Sequence, residues 1–135
     1  MPLSTYLADK LIRLEARGEA YSFPANLYFA LSTADPTADA SGLTEPSGGG
    51  YAREEVARNT SNWSAGSDGT VANAVELVWP TATADWGTIT HIAIMDASTG
   101  GNMLRYFPIP NRTILNGGLF RILVGLGTLS YRDAA

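Results

Sequence analysis

The stretch Asn26-Leu27-Tyr28-Phe29-Ala30-Leu31-Ser32 decides the fold class, because the apolar period of the chain changes there from about 3.6 residues to about two. Leu27, Phe29 and Leu31 occupy every second position, which is typical of a strand with one buried face. Pro24 precedes the stretch, and a segment rich in glycine and proline follows it. We therefore predict a strand here and a mainly β protein.

Further strands are predicted downstream, each bounded by turn residues. Residues 51–58 also suit a helix, but the Gly-rich and Asn-rich segments that flank them favour a strand. Pro108 and Pro110 indicate a sheet edge or a strand end. About eight short strands in this arrangement predict an antiparallel β-sandwich or a jelly-roll-like barrel. The further predicted strands are 51–58, 71–79, 89–95, 104–109, 113–115, 119–124 and 128–131.

One N-terminal α-helix is predicted, over residues 3–17. Four leucines recur there at spacings of 4, 4 and 3 residues, which places them on one helix face. Ser4 is suited to cap the start, and Gly18 is suited to end the helix in a left-handed conformation. The leucine face either packs on the sheet, which we favour, or mediates assembly with a neighbouring subunit. The leucines are Leu3, Leu7, Leu11 and Leu14.

The length of 135 residues fits one domain, which we place at residues 1–135. Behind the helix, the β-sandwich is expected to span residues 26–132, with a long loop at 33–50. This loop is small, polar and rich in glycine and proline. Loops of this length are usually functional or mobile, so we expect the most variable surface of the molecule there.

The charge pattern disfavours two classes of partner. The net charge is −4, and the nine basic residues, of which only Lys10 is a lysine, are scattered. Nucleic-acid binding needs a clustered basic surface, and a membrane span needs about 18 consecutive apolar residues. Neither pattern is present, so we expect no nucleic-acid binding and no membrane insertion. Charged residues make up only 16% of the chain, which favours extensive contacts with other proteins.

The residues that carry chemistry do not form a catalytic or metal-binding pattern. His91 is the single histidine and cysteine is absent, so a two-histidine metal site and thiolate chemistry lack their residues. Glu54 and Glu55 are neighbours, and on a strand they point to opposite faces rather than to one sugar bond. The glycines at 48–50 lack the lysine that completes a phosphate loop. We predict that the protein is not an enzyme and has no catalytic, cofactor or metal site.

Three aromatic side chains are candidate contacts for a partner or a glycan, namely Trp63, Trp86 and Tyr51. Large aromatic rings of this kind either fill a core or contribute to a contact surface. Trp86 lies between Asp85 and Gly87 in a turn-like setting. It either plugs the end of the sandwich, which we favour, or meets a partner.

A series of short motifs, in a fixed order along the chain, carries a family resemblance. They are Ser4-Thr5-Tyr6-Leu7 with Lys10-Leu11, Pro24-Ala25-Asn26-Leu27-Tyr28-Phe29-Ala30-Leu31, Thr33-Ala34-Asp35-Pro36-Thr37, Ser47-Gly48-Gly49-Gly50-Tyr51-Ala52-Arg53, Asp85-Trp86-Gly87-Thr88-Ile89-Thr90-His91, and Asp96-Ala97 with Gly100-Gly101-Asn102 and Leu104. Together they resemble small virion proteins of tailed bacteriophages, often labelled tail fibre proteins. The resemblance covers roughly residues 2 to 107. Beyond it, residues 119–124 are more apolar than that family's closing strands and are a candidate subunit interface.

The resemblance implies a non-enzymatic structural protein of the virion, assembled in the host cytoplasm and associated with the tail or the tail fibre. One alternative is a capsid decoration protein, and another is a carbohydrate-binding module that uses Trp63 or Trp86 with the 33–50 loop. The expected partners are copies of the chain itself, with a trimer favoured, tail proteins or the major capsid protein, and in the last alternative a host surface glycan. The candidate assembly contacts are Leu7, Leu11, Leu14 and Phe120.

Overall fold

One helix leads nine strands in the computed structural model, which describes residues 2–66 and 68–130. The strands of this described part form three antiparallel sheets, and together with the helix they confirm a mainly β, sandwich-like fold. The elements are α1 (Thr5–Arg17), β1 (Asn26–Ser32), β2 (Glu54–Ala57), β3 (Trp63–Ser64), β4 (Thr70–Asn73), β5 (Leu77–Val78), β6 (Gly87–Met95), β7 (Met103–Ile114), β8 (Arg121–Ile122) and β9 (Thr128–Ser130).

Helix α1 is closed at both ends by the residues that the sequence predicts. The Ser4 hydroxyl oxygen accepts a hydrogen bond from the main-chain N–H of Leu7 at 3.0 Å. Gly18 ends the helix in the left-handed conformation, with φ 69°. The helix starts two residues later than predicted, because Leu3 forms an antiparallel bridge with Arg105 of β7 instead of a helical turn.

The leucine face of α1 packs on the sandwich only in its first half. Leu7 is 1% exposed, and Leu11 is partly buried against the same core. Leu14, in contrast, is 43% exposed, and its neighbour Ile12 is 56% exposed. The prediction that the leucine stripe packs on the sheet is therefore correct for Leu7 and Leu11 and wrong for Leu14.

The main sheet contains four strands in the order β2-β1-β6-β7, so β1 lies inside it. The register pairs Phe29 with Ile94 and Leu31 with Ile92, which gathers apolar side chains of both strands on one face. All four are at most 1% exposed. Leu77 of β5 and Ile122 of β8 join the same core cluster, so this face of the main sheet is the interior of the sandwich.

Trp79 connects the main sheet to the segment that leads into β8. Its side chain is 1% exposed, and its indole N–H donates to the carbonyl oxygen of Phe29 at 3.2 Å. Its ring meets that of Phe120 edge-on, with centroids 5.1 Å apart and an interplanar angle of 89°. A buried indole N–H needs an acceptor, and a β1 carbonyl supplies it here. The alternation that placed Trp79 in the core is confirmed.

The opposite face of the main sheet is also buried. Ala30 and Ser32 of β1 are completely buried, although alternation predicts a single buried face for this strand. Ala40 and Leu43, both from the 33–50 segment, pack over this second face. The segment therefore covers the sheet. The buried residues of this second cluster are Ala30, Ala93, Met95 and Met103.

Strand β7 closes one edge of the main sheet and continues for 12 residues through Pro108 and Pro110. The main-chain N–H of Tyr106 points away from β6 and donates to the carbonyl oxygen of Pro2 at 3.3 Å. Main-chain groups two residues apart on a strand point to the same side, so the nitrogen of Pro108 also faces the outer edge. There its missing N–H costs no hydrogen bond to β6. The register of the β6–β7 pair shifts directly after it, between the His91–Pro108 and Ile89–Arg112 pairs. The predicted sheet edge is confirmed, and the alternative of a strand end at the prolines is wrong.

The other differences from the predicted strands are a shorter β2, an unpredicted β3, an earlier start of β6, and changes at Asn73 and in the last third of the chain. The predicted strand 71–79 divides into β4 and β5, because the buried Asn73 side chain turns the chain between them. Its amide donates to the carbonyl oxygens of Val75 at 2.8 Å and Leu123 at 3.0 Å. The predicted strands 104–109 and 113–115 are one strand, and 119–124 shortens to the two residues of β8. The predicted end of the last strand, Tyr131, lies outside the described residues.

We predict that Ser4→Ala lowers the free energy of unfolding by about 1 kcal/mol, because the N–H of Leu7 loses its capping acceptor. Urea unfolding followed by circular dichroism measures the change. Ser22→Ala, at an exposed serine ahead of β1, is the matched control and is expected to have little effect. Equal stability of the Ser4 variant and the wild type would show that the cap contributes nothing.

Candidate functional site

Two of the candidate aromatic contacts, Trp86 and Tyr51, pack against each other inside the chain. Their ring centroids lie 5.4 Å apart in a T-shaped arrangement. Trp86 is 4% exposed, which is too little surface to stack on a sugar, and its indole N–H donates to the carbonyl oxygen of Gly49 at 2.9 Å. Trp86 therefore lies in the interior of the chain, and this burial favours the plug over a partner contact.

Gly49 makes this approach of the chain to Trp86 feasible. A Cβ atom at position 49 would lie 3.1 Å from the indole nitrogen, and the residue has a positive φ of 60°. Both conditions favour glycine. The Gly-rich motif before Tyr51 is thus a close-packed turn over Trp86.

Trp63, the third candidate aromatic contact, lies on β3 and is only partly buried. Its ring stacks on that of Phe29, with centroids 6.1 Å apart and an interplanar angle of 21°. Its indole nitrogen is buried and has no hydrogen-bond partner within residues 2–66 and 68–130. The ring of Trp63 contacts Phe29, whereas Trp86 and Tyr51 contact each other. The three aromatic residues therefore do not form one site.

The four candidate assembly contacts have very different exposures. Leu7 and Phe120 are 1% and 4% exposed and belong to the core of the chain itself. Leu11 is partly buried against that core. Leu14 alone of the four offers a large apolar surface to a partner. The burial of Leu7 and Phe120 removes them from direct contact with a neighbouring subunit in this conformation.

Sequence reasoning missed the polar network centred on Arg53. Its guanidinium forms a bidentate ion pair with Glu45, with Nε–Oε1 and Nη2–Oε2 distances of 2.9 and 2.7 Å. Its remaining nitrogen, Nη1, donates to the carbonyl oxygens of Ala97 at 2.6 Å and Gly100 at 2.9 Å. The side chain of Arg53 is only 5% exposed. Arg53 therefore ties the 33–50 segment to the turn that joins β6 to β7.

Tyr51 connects the same network to β1. Its hydroxyl donates to Glu45 Oε1 at 2.6 Å and accepts the main-chain N–H of Leu31 at 3.0 Å. Burial, and then the adjacent Glu45 carboxylate, raise the pKa of Tyr51, so the phenol keeps its proton. Burial acts to raise the pKa of Glu45 as well. The hydrogen bonds from Arg53 and Tyr51 nevertheless bring the pKa of Glu45 below its ordinary value.

The 33–50 segment is held by its own hydrogen bonds in addition to the Arg53 network. The main-chain N–H of Thr33 donates to the carbonyl oxygen of Thr44 at 2.9 Å, and the N–H of Thr44 donates to the Ser32 hydroxyl at 3.1 Å. The N–H of Gly42 donates to the carbonyl oxygen of Pro36, which is fully buried. This segment has no helix or strand, yet it is a packed layer rather than a free loop.

An exposed apolar surface lies near the end of the described chain, between Leu115 and Leu126. We call it the C-terminal apolar patch and define it by five side chains that are each at least 38% exposed. Leu126, at 71%, is the most exposed large hydrophobic residue of the described part of the chain. The members are Leu115, Leu119, Leu123, Val124 and Leu126.

A groove of about 380 Å³ opens beside this patch, between the second half of β7 and β8. Phe107 and Ile109 form the β7 side, and Phe120 and Ile122 form the β8 side. Leu126 of the C-terminal apolar patch lines the groove as well. Phe120 and Ile122 belong to the core cluster of the sandwich, and Phe107 and Ile109 pack against that cluster. The sandwich is therefore open on this side.

The charged side chains around the groove interact with neighbouring groups of the same chain. The Arg112 guanidinium lies 5.7 Å from the centroid of the Phe120 ring and donates to the carbonyl oxygen of Leu119 at 3.3 Å. Arg121 forms an exposed ion pair with Glu76, with an N–O distance of 3.3 Å. The margin of the groove thus combines two arginines with one carboxylate.

A second cavity, of about 550 Å³, lies between α1, the main sheet and β9. Core side chains, including Leu7 and Leu104, form much of its wall. Arg58 and Arg105 at its margin donate to the carbonyl oxygens of Pro24 at 2.7 Å and Ser130 at 2.9 Å. The cavity is an extension of the sandwich interior.

The described residues contain neither a cluster of metal-ligating side chains nor a membrane-spanning helix. Within residues 2–66 and 68–130, no three His, Cys, Asp or Glu side chains come close enough together to hold a metal ion. In the same part of the chain, no helix has the length and apolar character needed to cross a membrane.

A comparison with protein families accounts for nearly the whole chain. The family model described as podophage GP4 fiber I protein gp80 matches residues 2–130. The chain belongs to this family. Membership in the gp80 family confirms the resemblance to small structural proteins of tailed phages and extends it past Phe107 to Ser130. The family is one of phage fibre proteins, which implies a component of the virion that associates with other virion proteins. No curated protein matches the chain.

We predict that Glu45→Gln destabilises this gp80-family chain by roughly 3 kcal/mol at neutral pH, because Arg53 is then left as a buried charge without its carboxylate. Unfolding by urea measures the loss. Glu76→Gln breaks the exposed pair with Arg121 and serves as the matched control, with an expected loss below about 1 kcal/mol.

We predict that the difference in stability between the wild type and Glu45→Gln depends on pH. Because the pKa of Glu45 in the folded chain lies below its ordinary 4.5, the stabilisation is present above pH 4.5 and is lost as the pH falls through the folded-state pKa. The difference in stability between the wild type and Glu45→Gln therefore shrinks in acid. A difference that stayed constant from neutral pH down to strong acid would contradict the assignment of this ion pair.

Proposed function

We propose that the chain is a non-enzymatic structural subunit of a tailed-phage virion, associated with the tail or the tail fibre. The observation that carries the proposal is the match of residues 2–130 to the podophage fibre family. We further propose that residues 1–135 act as one domain, that the protein functions as a homo-oligomer with a trimer favoured, and that it is assembled into the virion in the host cytoplasm.

The hydrogen bonds of the buried polar side chains support a structural role. Glu45, Arg53 and Tyr51 form a connected network of ionisable groups, and they satisfy one another and nearby main-chain groups. Catalytic groups are usually placed in a cleft with pKa values matched to proton transfer near neutral pH. Here the pKa of Glu45 is lowered and that of Tyr51 is raised, so both are shifted away from neutrality. The network is suited to holding segments together.

The partners follow from the proposed location. A subunit of a tail or fibre contacts copies of itself and other tail proteins, and such contacts are built from matching surface patches. The low proportion of charged residues, 16%, is compatible with a surface that is largely covered in an assembly. The burial of Trp86 disfavours glycan recognition through its ring. Capsid decoration is a different location on the virion, and the following experiment distinguishes it from the tail.

We predict that gold-labelled antibodies against this chain bind the tail or its fibres on intact virions. Electron microscopy of labelled particles, followed by electron cryomicroscopy of the unlabelled virion, provides the measurement. Particles from a mutant phage that does not make the protein are the control, and they should carry no label. Label spread evenly over the head would replace the proposal with capsid decoration, and a particle without label would refute a virion location.

The absence of enzymatic activity is tested separately. The purified protein, incubated with polysaccharide extracted from the host surface, is expected to release no reducing ends above a heat-denatured sample. Release that depended on the native protein would contradict the non-enzymatic part of the proposal.

A further inference from the structure

We propose that the cavity of about 550 Å³ between α1, the main sheet and β9, here called the α1–β9 cavity, binds a fatty acid. The apolar chain of the ligand lies inside the cavity, and its carboxylate lies at the mouth beside Arg58. The proposal goes beyond the proposed function and is independent of it, because a subunit at any place on the virion can hold such a ligand.

The size of the cavity is the first argument. Protein interiors are packed so closely that voids larger than a water molecule are few. A volume of about 550 Å³ lies instead within the range of pockets that bind small molecules, roughly 300 to 1,000 Å³. The walls of an unfilled space lack van der Waals partners on one side, and a ligand that fills the space supplies them.

The walls of the α1–β9 cavity are suited to an apolar chain. Leu7 of α1 and Leu104 of β7, which are 1% and 2% exposed, belong to the buried part of its lining. Transfer of an apolar chain from water to such walls is favourable, because it removes apolar surface of both ligand and protein from water. The apolar side chains of the lining include Leu7, Phe23, Leu27, Ile94, Leu104 and Leu129.

The mouth of the cavity is formed by the lining residues that are exposed, namely Arg58, Ala65, Gly66 and Gly69. Three of these four have a methyl group or no side chain, so they leave the entrance open. A side chain at Gly66 would collide with the main chain of Thr70, so the close approach of these two residues requires glycine. Arg58 is the charged residue of the mouth.

The charges of the lining identify the head group of the ligand. Arg58 and Arg105 line the cavity, and no Asp or Glu is among the lining residues of the described part of the chain. Arg105 is 5% exposed, and its Nη1 donates to the carbonyl oxygen of Ser130 at 2.9 Å. A carboxylate is attracted to such a lining, whereas an ammonium group is repelled by it.

The guanidinium of Arg58 is fixed in position and retains donors for a carboxylate. Its Nη1 donates to the carbonyl oxygen of Pro24 at 2.7 Å, and its Cζ lies 5.2 Å from the centroid of the Phe23 ring. Its Nε and Nη2 donate to no group within residues 2–66 and 68–130. The same two nitrogens of Arg53 hold the Glu45 carboxylate in this chain, which shows the bidentate contact that Arg58 can make.

Calorimetric titration of the purified protein with decanoate, below the concentration at which decanoate forms micelles, tests the proposal. One decanoate is expected to bind per chain. Decanol has the same chain without the charge and is expected to bind roughly tenfold more weakly, because it makes no charge-assisted contact with Arg58. Decylamine, with the opposite charge, is expected to bind more weakly still.

Two variants assign the ligand to the cavity. Arg58→Gln is expected to weaken decanoate binding roughly tenfold and to leave decanol binding unchanged, whereas Arg121→Gln, outside the cavity, is the matched control and changes neither. Ala65→Trp places a large side chain in the mouth and is expected to abolish binding of both ligands. Ala16→Trp, at an exposed alanine of α1, is its control. Thermal unfolding followed by circular dichroism verifies that all four variants are folded.

Four results would overturn the proposal. The first is a wild type that does not bind decanoate, and the second is equal affinity for decanoate, decanol and decylamine, which would indicate unspecific apolar adsorption. The other two are decanoate affinities that Arg58→Gln or Ala65→Trp leaves unchanged. Each of these results leaves the virion location untouched, because antibody labelling of particles tests that separately.

Discussion

The ion pair between Arg53 and Glu45 is the interaction on which the rest of the structure depends. It joins three parts of the chain that have no regular pairing with one another: the 33–50 segment, the residues ahead of β2, and the turn between β6 and β7. Burying the guanidinium is favourable only because carboxylate and carbonyl oxygens occupy its donors. The pair also positions Tyr51 between β1 and Glu45, and so it fixes the covering segment directly onto the sheet.

This attachment gives the main sheet two buried faces. An antiparallel sheet commonly has one face in contact with water, and β1 would then show strict alternation. Here the small side chains Ala30 and Ala93 allow the 33–50 segment to lie close against the second face. With both faces covered by the chain itself, the surfaces left for partners are the rims of the sandwich, the second half of α1 and the C-terminal apolar patch.

Local signals explain what the sequence could predict, and distant contacts explain what it could not. Ser4 and Gly18 define the ends of the helix because a cap involves only a few neighbouring residues. The alternation of β1 likewise needs no knowledge of its partners. In contrast, the Arg53 network and the hydrogen bond from Trp86 to Gly49 join residues up to 47 positions apart, and composition carries no trace of these contacts. The family resemblance could name a phage structural protein, but exposure along residues 119–126 could be measured only in the folded chain.

The prolines of β7 also have a consequence for how copies of this chain can be combined. Strand addition that joins the β7 edge of one copy to the β2 edge of the next leaves one edge of each kind exposed, so it can repeat without limit into an open array. Pro108 removes a donor from the outer edge of β7, where such growth would begin, without ending the strand. Growth of that kind is therefore disfavoured, whereas contacts between side-chain surfaces can close on a fixed number of copies. A particle part of defined stoichiometry requires that kind of closure.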